Sequence, residues 1–283
     1  MNRRNALKLA AVSPTFVLSN KGYISKRPSG GSNSIKHSIS RWCYGSTDIH
    51  TLIRWCKDLG ISSIELLDKD EYEVVLDAGL DCAIVNGSKL GITKGFNDPS
   101  LHSELLADYT ELIPELAKAG LRTIISFSGN RNGMTDEEGL KNCVAGLKPV
   151  VALAKENDVM VVMELLNSYV DHADYMCDHT KWGVELVDRL GSDHFRLLYD
   201  IYHMQIMEGN VVSNIKKYSD YIAHYHTGGV PGRHEINESQ ELNYPFIVKS
   251  ILETGYTGYL GQEFIPSQEN PYDALKEAIQ ICS

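Results

Sequence analysis

Several kinds of protein are ruled out by what this chain lacks. Its six cysteines (Cys43, Cys56, Cys82, Cys143, Cys177 and Cys282) include no C-x-x-C pair, so neither a structural zinc cluster nor a dithiol redox centre is written into their spacing. They are expected as buried thiols. There is no block of Lys and Arg, and 27 basic against 37 acidic residues leave a formal charge of −10. Such a balance repels nucleic acid and anionic lipid, so a small molecule is the expected partner. No G-x-G-x-x-G follows an early strand, which argues against a dinucleotide-binding open sheet. Beyond the N-terminus no apolar run is long enough to cross a bilayer.

What is present begins with an address. Arg3-Arg4 leads through Asn5-Ala6-Leu7-Lys8 into a moderately apolar run to Leu18, which resembles a twin-arginine export signal. Ser13 and Pro14 interrupt that run and no Ala-x-Ala cleavage site follows it. Lys21 to Ser34, with Pro28, Gly30, Gly31 and several serines, reads as a flexible tether. Residues 1–36 are therefore expected to be signal and linker, and the location periplasmic. Export of an already folded chain is compatible with six free thiols.

From His37 to the end one rhythm repeats. Short β-branched and aromatic runs at Ser38–Tyr44, Ser63–Leu67, Cys82–Asn86, Thr123–Phe127, Val159–Leu165, Phe195–Asp200, Ile222–His226 and Gly258–Glu263 alternate with longer stretches of helical period. Asp98-Pro99 and Thr135-Asp136-Glu137 mark helix starts, and Gly120, Gly191 and Gly255 mark helix ends. Alternation of strand and helix implies parallel strands with right-handed crossovers. Eight such units across residues 37–283 predict a single α/β domain, a (β/α)8 TIM barrel, with an open doubly wound sheet as the alternative.

In a barrel the site lies where strands end, and here four successive strands offer metal-ligand types. The fifth expected strand runs apolar to Glu164, the sixth to Asp200 with His203 just beyond, the seventh offers His224 and His226, and the eighth ends on Glu263. Carboxylate oxygens with one imidazole suit a divalent ion with open positions, such as Mn2+, Co2+ or Mg2+. A single carboxylate at a strand end is ordinarily a helix cap or a surface ion pair, but three carboxylates and a histidine on four successive strands are not. Burying three of them together without a cation would cost several kcal/mol. His224, deeper on the same strand face as His226, is expected as a satisfied core histidine. Trp42 and Tyr44 are candidates to wall the pocket, Asn167 to orient Glu164, and Glu235 to orient Arg233.

The segments Glu164-Leu-Leu-Asn167, Asp200-Ile-Tyr-His203-Met-Gln205, Gly228-Gly-Val-Pro-Gly-Arg233-His-Glu235 with Leu242-Asn-Tyr244, and Gly258-Tyr-Leu-Gly-Gln-Glu263 resemble the hydroxypyruvate isomerase family, within the xylose isomerase-like barrels. The resemblance covers residues 37 to 283. It implies that Glu164, Asp200, His226 and Glu263 ligate a divalent metal, that His203 and Arg233 contact substrate oxygens, and that Glu164 and Glu263 double as the acid/base pair. The activity it implies is isomerisation of a small hydroxy-carbonyl compound or sugar through an enediolate. His224-Tyr-His226 resembles the ketose 3-epimerases of the same superfamily, so epimerisation stays open, as does a keto-sugar lyase or hydratase. Two other classes are a non-catalytic periplasmic sugar-binding protein and a three-metal phosphodiesterase. The latter calls for further histidines at the ends of the first four strands, which are absent. Exposed helices of such barrels commonly pair, so a homo-oligomer is compatible with the sequence.

Overall fold

The computed structural model describes residues 34–283, so the twin-arginine segment and nearly all of the tether lie outside the described residues. Seven strands form one all-parallel sheet: β1 (Lys36–Ser40), β2 (Ser63–Glu65), β3 (Thr123–Ser126), β4 (Met160–Leu165), β5 (Phe195–Asp200), β6 (Ile222–Thr227) and β7 (Tyr259–Gln262). Their order is β2-β1-β7-β6-β5-β4-β3.

The space between β2 and β3 is bridged by residues 81–85. Isolated parallel bridges join Ser63 to Asp81, Leu67 to Val85 and Val85 to Ile124, and Leu66 N–H donates to Ile84 O at 2.7 Å and Val85 N–H to Thr123 O at 3.0 Å. The circuit thus closes, as expected of a barrel, but the expected strand Cys82–Asn86 is not a regular one. Its amides are diverted to side chains: Cys82 N–H donates to Asp81 Oδ1 at 2.8 Å and Ala83 N–H to Ser63 Oγ at 2.9 Å. Every amide spent this way is lost to the ladder. The first strand is also shorter than expected. It stops at Ser40, and Arg41–Tyr44 wind into a 3-10 turn tied by Arg41 Nη1 donating to Tyr44 O at 3.1 Å.

Helices alternate with the strands. Asp136–Glu156 starts with a capping box, Thr135 and Glu138 satisfying one another's backbone amides, and Thr180–Leu190 ends at the left-handed Gly191. Among the described residues no helix is long and apolar enough to cross a membrane.

Two apolar clusters follow from strand alternation. The larger lies between strands and helices. The smaller, Ile84, Ile125, Val162 and Leu198, lies inside the barrel, since Val162 and Leu198 precede Glu164 and Asp200 by two residues and so share their face. The rest of the interior is polar, with Ser38, Ser40, Ser63, Glu65 and His224 all buried on β1, β2 and β6. This division leaves one half of the barrel an inert floor and the other a column of groups able to bond.

Candidate active site

Each member of the tetrad is set by its strand. Glu164 is the next-to-last residue of β4 and Asp200 the last of β5, where its Oδ1 also caps helix Ile201–Met207 by accepting from His203 N–H at 3.1 Å. His226 pairs with Asp200 on one side and Gly261 on the other, and Glu263 follows β7 directly. Their ligating atoms all lie within 4.8 Å of one another, and all four residues are buried. His226 Nδ1 is 2.7 Å from Glu263 Oε2 and 3.4 Å from Glu164 Oε1.

The two residues expected to hold substrate oxygens meet the same cluster. Arg233, in the loop after β6 with left-handed backbone (φ 59°), places Nη2 2.6 Å from Glu263 Oε2 and 3.1 Å from Asp200 Oδ2. Its Nη1 lies 3.0 Å from His203 Nε2. The guanidinium also stacks on Trp42 at 5.1 Å and on Tyr202 at 5.3 Å from the ring centroids. His203 is fully buried in the first helical turn, with Asn167 Nδ2 2.7 Å from Nδ1. The four expected metal ligands and the two expected substrate contacts therefore come together.

The electrostatics separate the two glutamates. Burial lifts the Glu164 carboxyl above its ordinary range, and the negative Glu263 lifts it further against the pull of His226. Burial works the same way on Glu263, but His226, Arg233 and the Trp42 indole outweigh it and hold that carboxyl well below the usual range. Asp200 is pushed well above it by burial and by Glu263 and Glu164, with Arg233 opposing. Burial would lower His226, yet the surrounding carboxylates raise it well above the ordinary imidazole range. Burial and the Arg233 charge lower His203.

These residues fit a divalent cation. Three buried carboxylates face one guanidinium, and although His226 Nδ1 stands 2.7 Å from Glu263 Oε2 and 3.4 Å from Glu164 Oε1, neither Nδ1 nor Glu164 Oε1 is in an aligned hydrogen bond. Buried polar atoms left in that state cost about 1–3 kcal/mol each, and more when charged. A cation at the centre of three oxygens and one imidazole nitrogen satisfies them together.

Three supporting residues differ from expectation. Asn167 orients His203 rather than Glu164, its Oδ1 fixed by Val170 and Asp171 amides at 2.9 and 3.0 Å. Glu235 does not touch Arg233; it accepts from Ser267 N–H and Oγ, each at 2.6 Å, and from Gln268 N–H at 2.9 Å. The end of β1 at Ser40 separates Trp42 from Tyr44: Tyr44 is buried against Trp55, while Trp42, 46% exposed, donates Nε1–H to Glu263 Oε1 at 2.7 Å. His224 is buried and sits 3.2 Å from Glu65, the residue that the sequence reading missed. A charged residue inside the apolar strand Ser63-Ile-Glu65-Leu-Leu67 was the available signal.

A family model described as the xylose isomerase-like TIM barrel matches residues 53–282. The putative hydroxypyruvate isomerase of Drosophila melanogaster is 33% identical over 139 residues, which cover 49% of this chain and 52% of that protein. The chain thus spans about half the length of this curated relative. The D-psicose 3-epimerase of Enterocloster bolteae is 25% identical over 257 residues, covering 79% of this chain and 78% of that one. Among solved structures, an AP endonuclease of family 2 from Brucella melitensis superposes with a TM-score of 0.77 at 20% identity, over 85% of this chain and 97% of that chain. At that identity the likeness is one of fold.

Proposed function

The chain belongs to the xylose isomerase-like TIM barrel family, and from that membership we propose that it is a metal-dependent isomerase acting on a small hydroxy-carbonyl compound or sugar, similar to the hydroxypyruvate isomerases. The observation that carries the reading is the buried tetrad, in which Glu164 of β4 and Glu263, just past β7, both approach His226. The partial match to hydroxypyruvate isomerases supports the same class.

Glu164, Asp200, His226 and Glu263 would hold a divalent ion of the Mn2+, Co2+ or Mg2+ type. When bound, it supplies polarisation of a carbonyl and the neighbouring hydroxyl, which acidifies the adjacent C–H. The chain's own residues do the rest. One of Glu164 and Glu263 removes the proton from the carbon beside the carbonyl, and the other returns a proton to the adjacent carbon, giving isomerisation through an enediolate. Trp42 fixes one oxygen of Glu263 by its indole N–H, leaving the other directed at the cluster. Arg233, in contact with Glu263, and His203 beside it offer hydrogen bonds to substrate oxygens, with Asn167 setting the His203 ring.

A second reading uses the same groups. Return of the proton to the opposite face of the same carbon is epimerisation, favoured by the longer match to a D-psicose 3-epimerase. A phosphodiesterase is disfavoured, because the ends of β1, β2 and β3 carry Ser40, Glu65 and Ser126 rather than histidines.

Deuterium incorporation in D2O, followed by NMR over hydroxypyruvate, ketoses, aldoses and 3-keto sugars with added Mn2+ or Co2+, tests the proposal. Exchange abolished by EDTA is expected, and the labelled carbon separates isomerase from epimerase and lyase. Metal uptake with no exchange on any of these substrates would sink the catalytic reading in favour of a binding protein.

A further inference from the structure

Glu65 plays no part in the reaction outlined above, yet it is a fully buried carboxylate at the end of β2, directly behind the tetrad. The His226 imidazole stands between two acidic layers. On one side Nδ1 faces Glu263 and Glu164; on the other Nε2 lies 2.7 Å from Glu65 Oε1. His224 Nε2 is 3.2 Å from the second Glu65 oxygen, and Ser40 Oγ donates to Oε1 at 3.5 Å.

Room for this contact is made by Gly261. Its backbone does not have positive φ, so conformation does not demand glycine there. Space does: a Cβ at 261 would stand 2.2 Å from Glu65 Oε1 and 2.8 Å from His226 Cδ2. Glycine opposite His226 in the β6–β7 register is what lets the acid on β2 reach that ring.

An imidazole that binds a metal through Nδ1 must be neutral and carry its proton on Nε2, and that N–H needs an acceptor. From this geometry we infer that Glu65 is a positioning residue, which accepts the His226 Nε2–H, fixes that tautomer and aims Nδ1 at the ion held by Glu164, Asp200 and Glu263. The inference rests on the metal-dependent reading of the tetrad. Glu65, His224 and His226 also have ligand atoms close enough to form a second metal group, which the test must separate. The positioning role is favoured because His226 Nδ1 already faces the tetrad, leaving only Nε2 for Glu65.

The test is Mn2+ binding to the metal-free full chain by calorimetry, for wild type, Glu65→Gln, Glu65→Ala and Gly261→Ala, with the His226 tautomer read by long-range 1H–15N NMR on the chain loaded with diamagnetic Mg2+. Wild type should bind one ion and show His226 protonated on Nε2. Loss of such an outer partner typically weakens metal affinity about 10–100-fold. Glu65→Ala is expected at the upper end of that range, with a mixed tautomer signal. Glu65→Gln, which keeps an acceptor oxygen, should recover part of the loss. Gly261→Ala should weaken binding with Glu65 intact. Should Glu65→Ala fail to fold by circular dichroism, Glu65→Gln and Gly261→Ala decide. Affinity within twofold of wild type in both, with the tautomer unchanged, overturns the inference and leaves the proposed function standing. Two ions in wild type and one in Glu65→Gln would replace it by a second metal site. No uptake by wild type would overturn both the inference and the metal dependence.

Discussion

Three partners converge on Glu263: the Trp42 indole at 2.7 Å on one oxygen, and Arg233 Nη2 at 2.6 Å and His226 Nδ1 at 2.7 Å on the other. Glu164 meets only His226, at 3.4 Å among the ion-pair contacts. Both are needed to move protons, so Glu263→Gln and Glu164→Gln should each lower kcat by about 10²–10⁴-fold, the usual contribution of a positioned acid or base. Deuterium wash-in on the true substrate checks this, and turnover within a few-fold of wild type would end the two-carboxylate mechanism. Trp42→Phe removes one hydrogen bond to a charged acceptor and keeps the ring under Arg233. A fall in kcat of about tenfold is expected, near the lower end of the roughly 1.5–3 kcal/mol such bonds are worth, because the indole is half exposed. Mn2+ affinity should hold. The tetrad was legible in the sequence because each member interrupts an apolar strand at its C-terminal end, a position where side-chain chemistry is constrained by one-dimensional order. Glu65 and the Asn167–His203 contact were not, because both depend on which side chains meet across the barrel, 161 and 36 residues apart in sequence for Glu65–His226 and Asn167–His203 respectively.

Among the elements, β1 and β7 show what pairing alone decides. Alternation placed the strands well, but the end of β1 and the irregular 81–85 segment turn on where individual amides find acceptors, and two of those acceptors are the side chains of Asp81 and Ser63. Hydrophobic pattern carries no record of such diversions. On β1, His37 is buried beside Gln262 of β7, Nδ1 to Nε2 at 3.5 Å, and burial lowers its pKa from 6.5 to about 4. A lowered folded value means that the unfolded chain binds the proton first. This contribution is therefore complete above pH 6.5 and lost as the pH falls toward 4, amounting to roughly 3 kcal/mol at ~1.4 kcal/mol per unit. Denaturant unfolding between pH 7 and 4 should show that loss, and His37→Gln should flatten it by about one proton's worth of slope. An unchanged slope in His37→Gln would mean that the ring does not titrate in this way.

For the whole molecule, the interior and the proposed export signal make separate demands. All six cysteines are free, five of them buried, and burial raises the thiols of Cys56, Cys143, Cys177 and Cys282, so none of these four is poised to react. A chain of this kind gains nothing from an oxidising compartment during folding. Removal of metal should also be felt globally: an ion that binds the folded chain alone stabilises it by mass action, about 2.7 kcal/mol at one hundred times its Kd, so EDTA should lower the Tm and Mn2+ restore it. We propose export as a folded body, a route compatible with free thiols and with a tetrad that exists only once the barrel has closed. The paired Arg3-Arg4 is the part of the sequence that would direct this route. Replacing both, Arg3→Lys with Arg4→Lys, keeps the charge and removes the guanidinium pair, and is expected to leave the full-length precursor in the cytoplasm with its metal affinity unaltered. Cell fractionation with metal-binding assays of each fraction reads both quantities at once. Double-lysine protein recovered from the periplasm in wild-type amount would show that Arg3 and Arg4 are not an address, and the proposed location would fall with them.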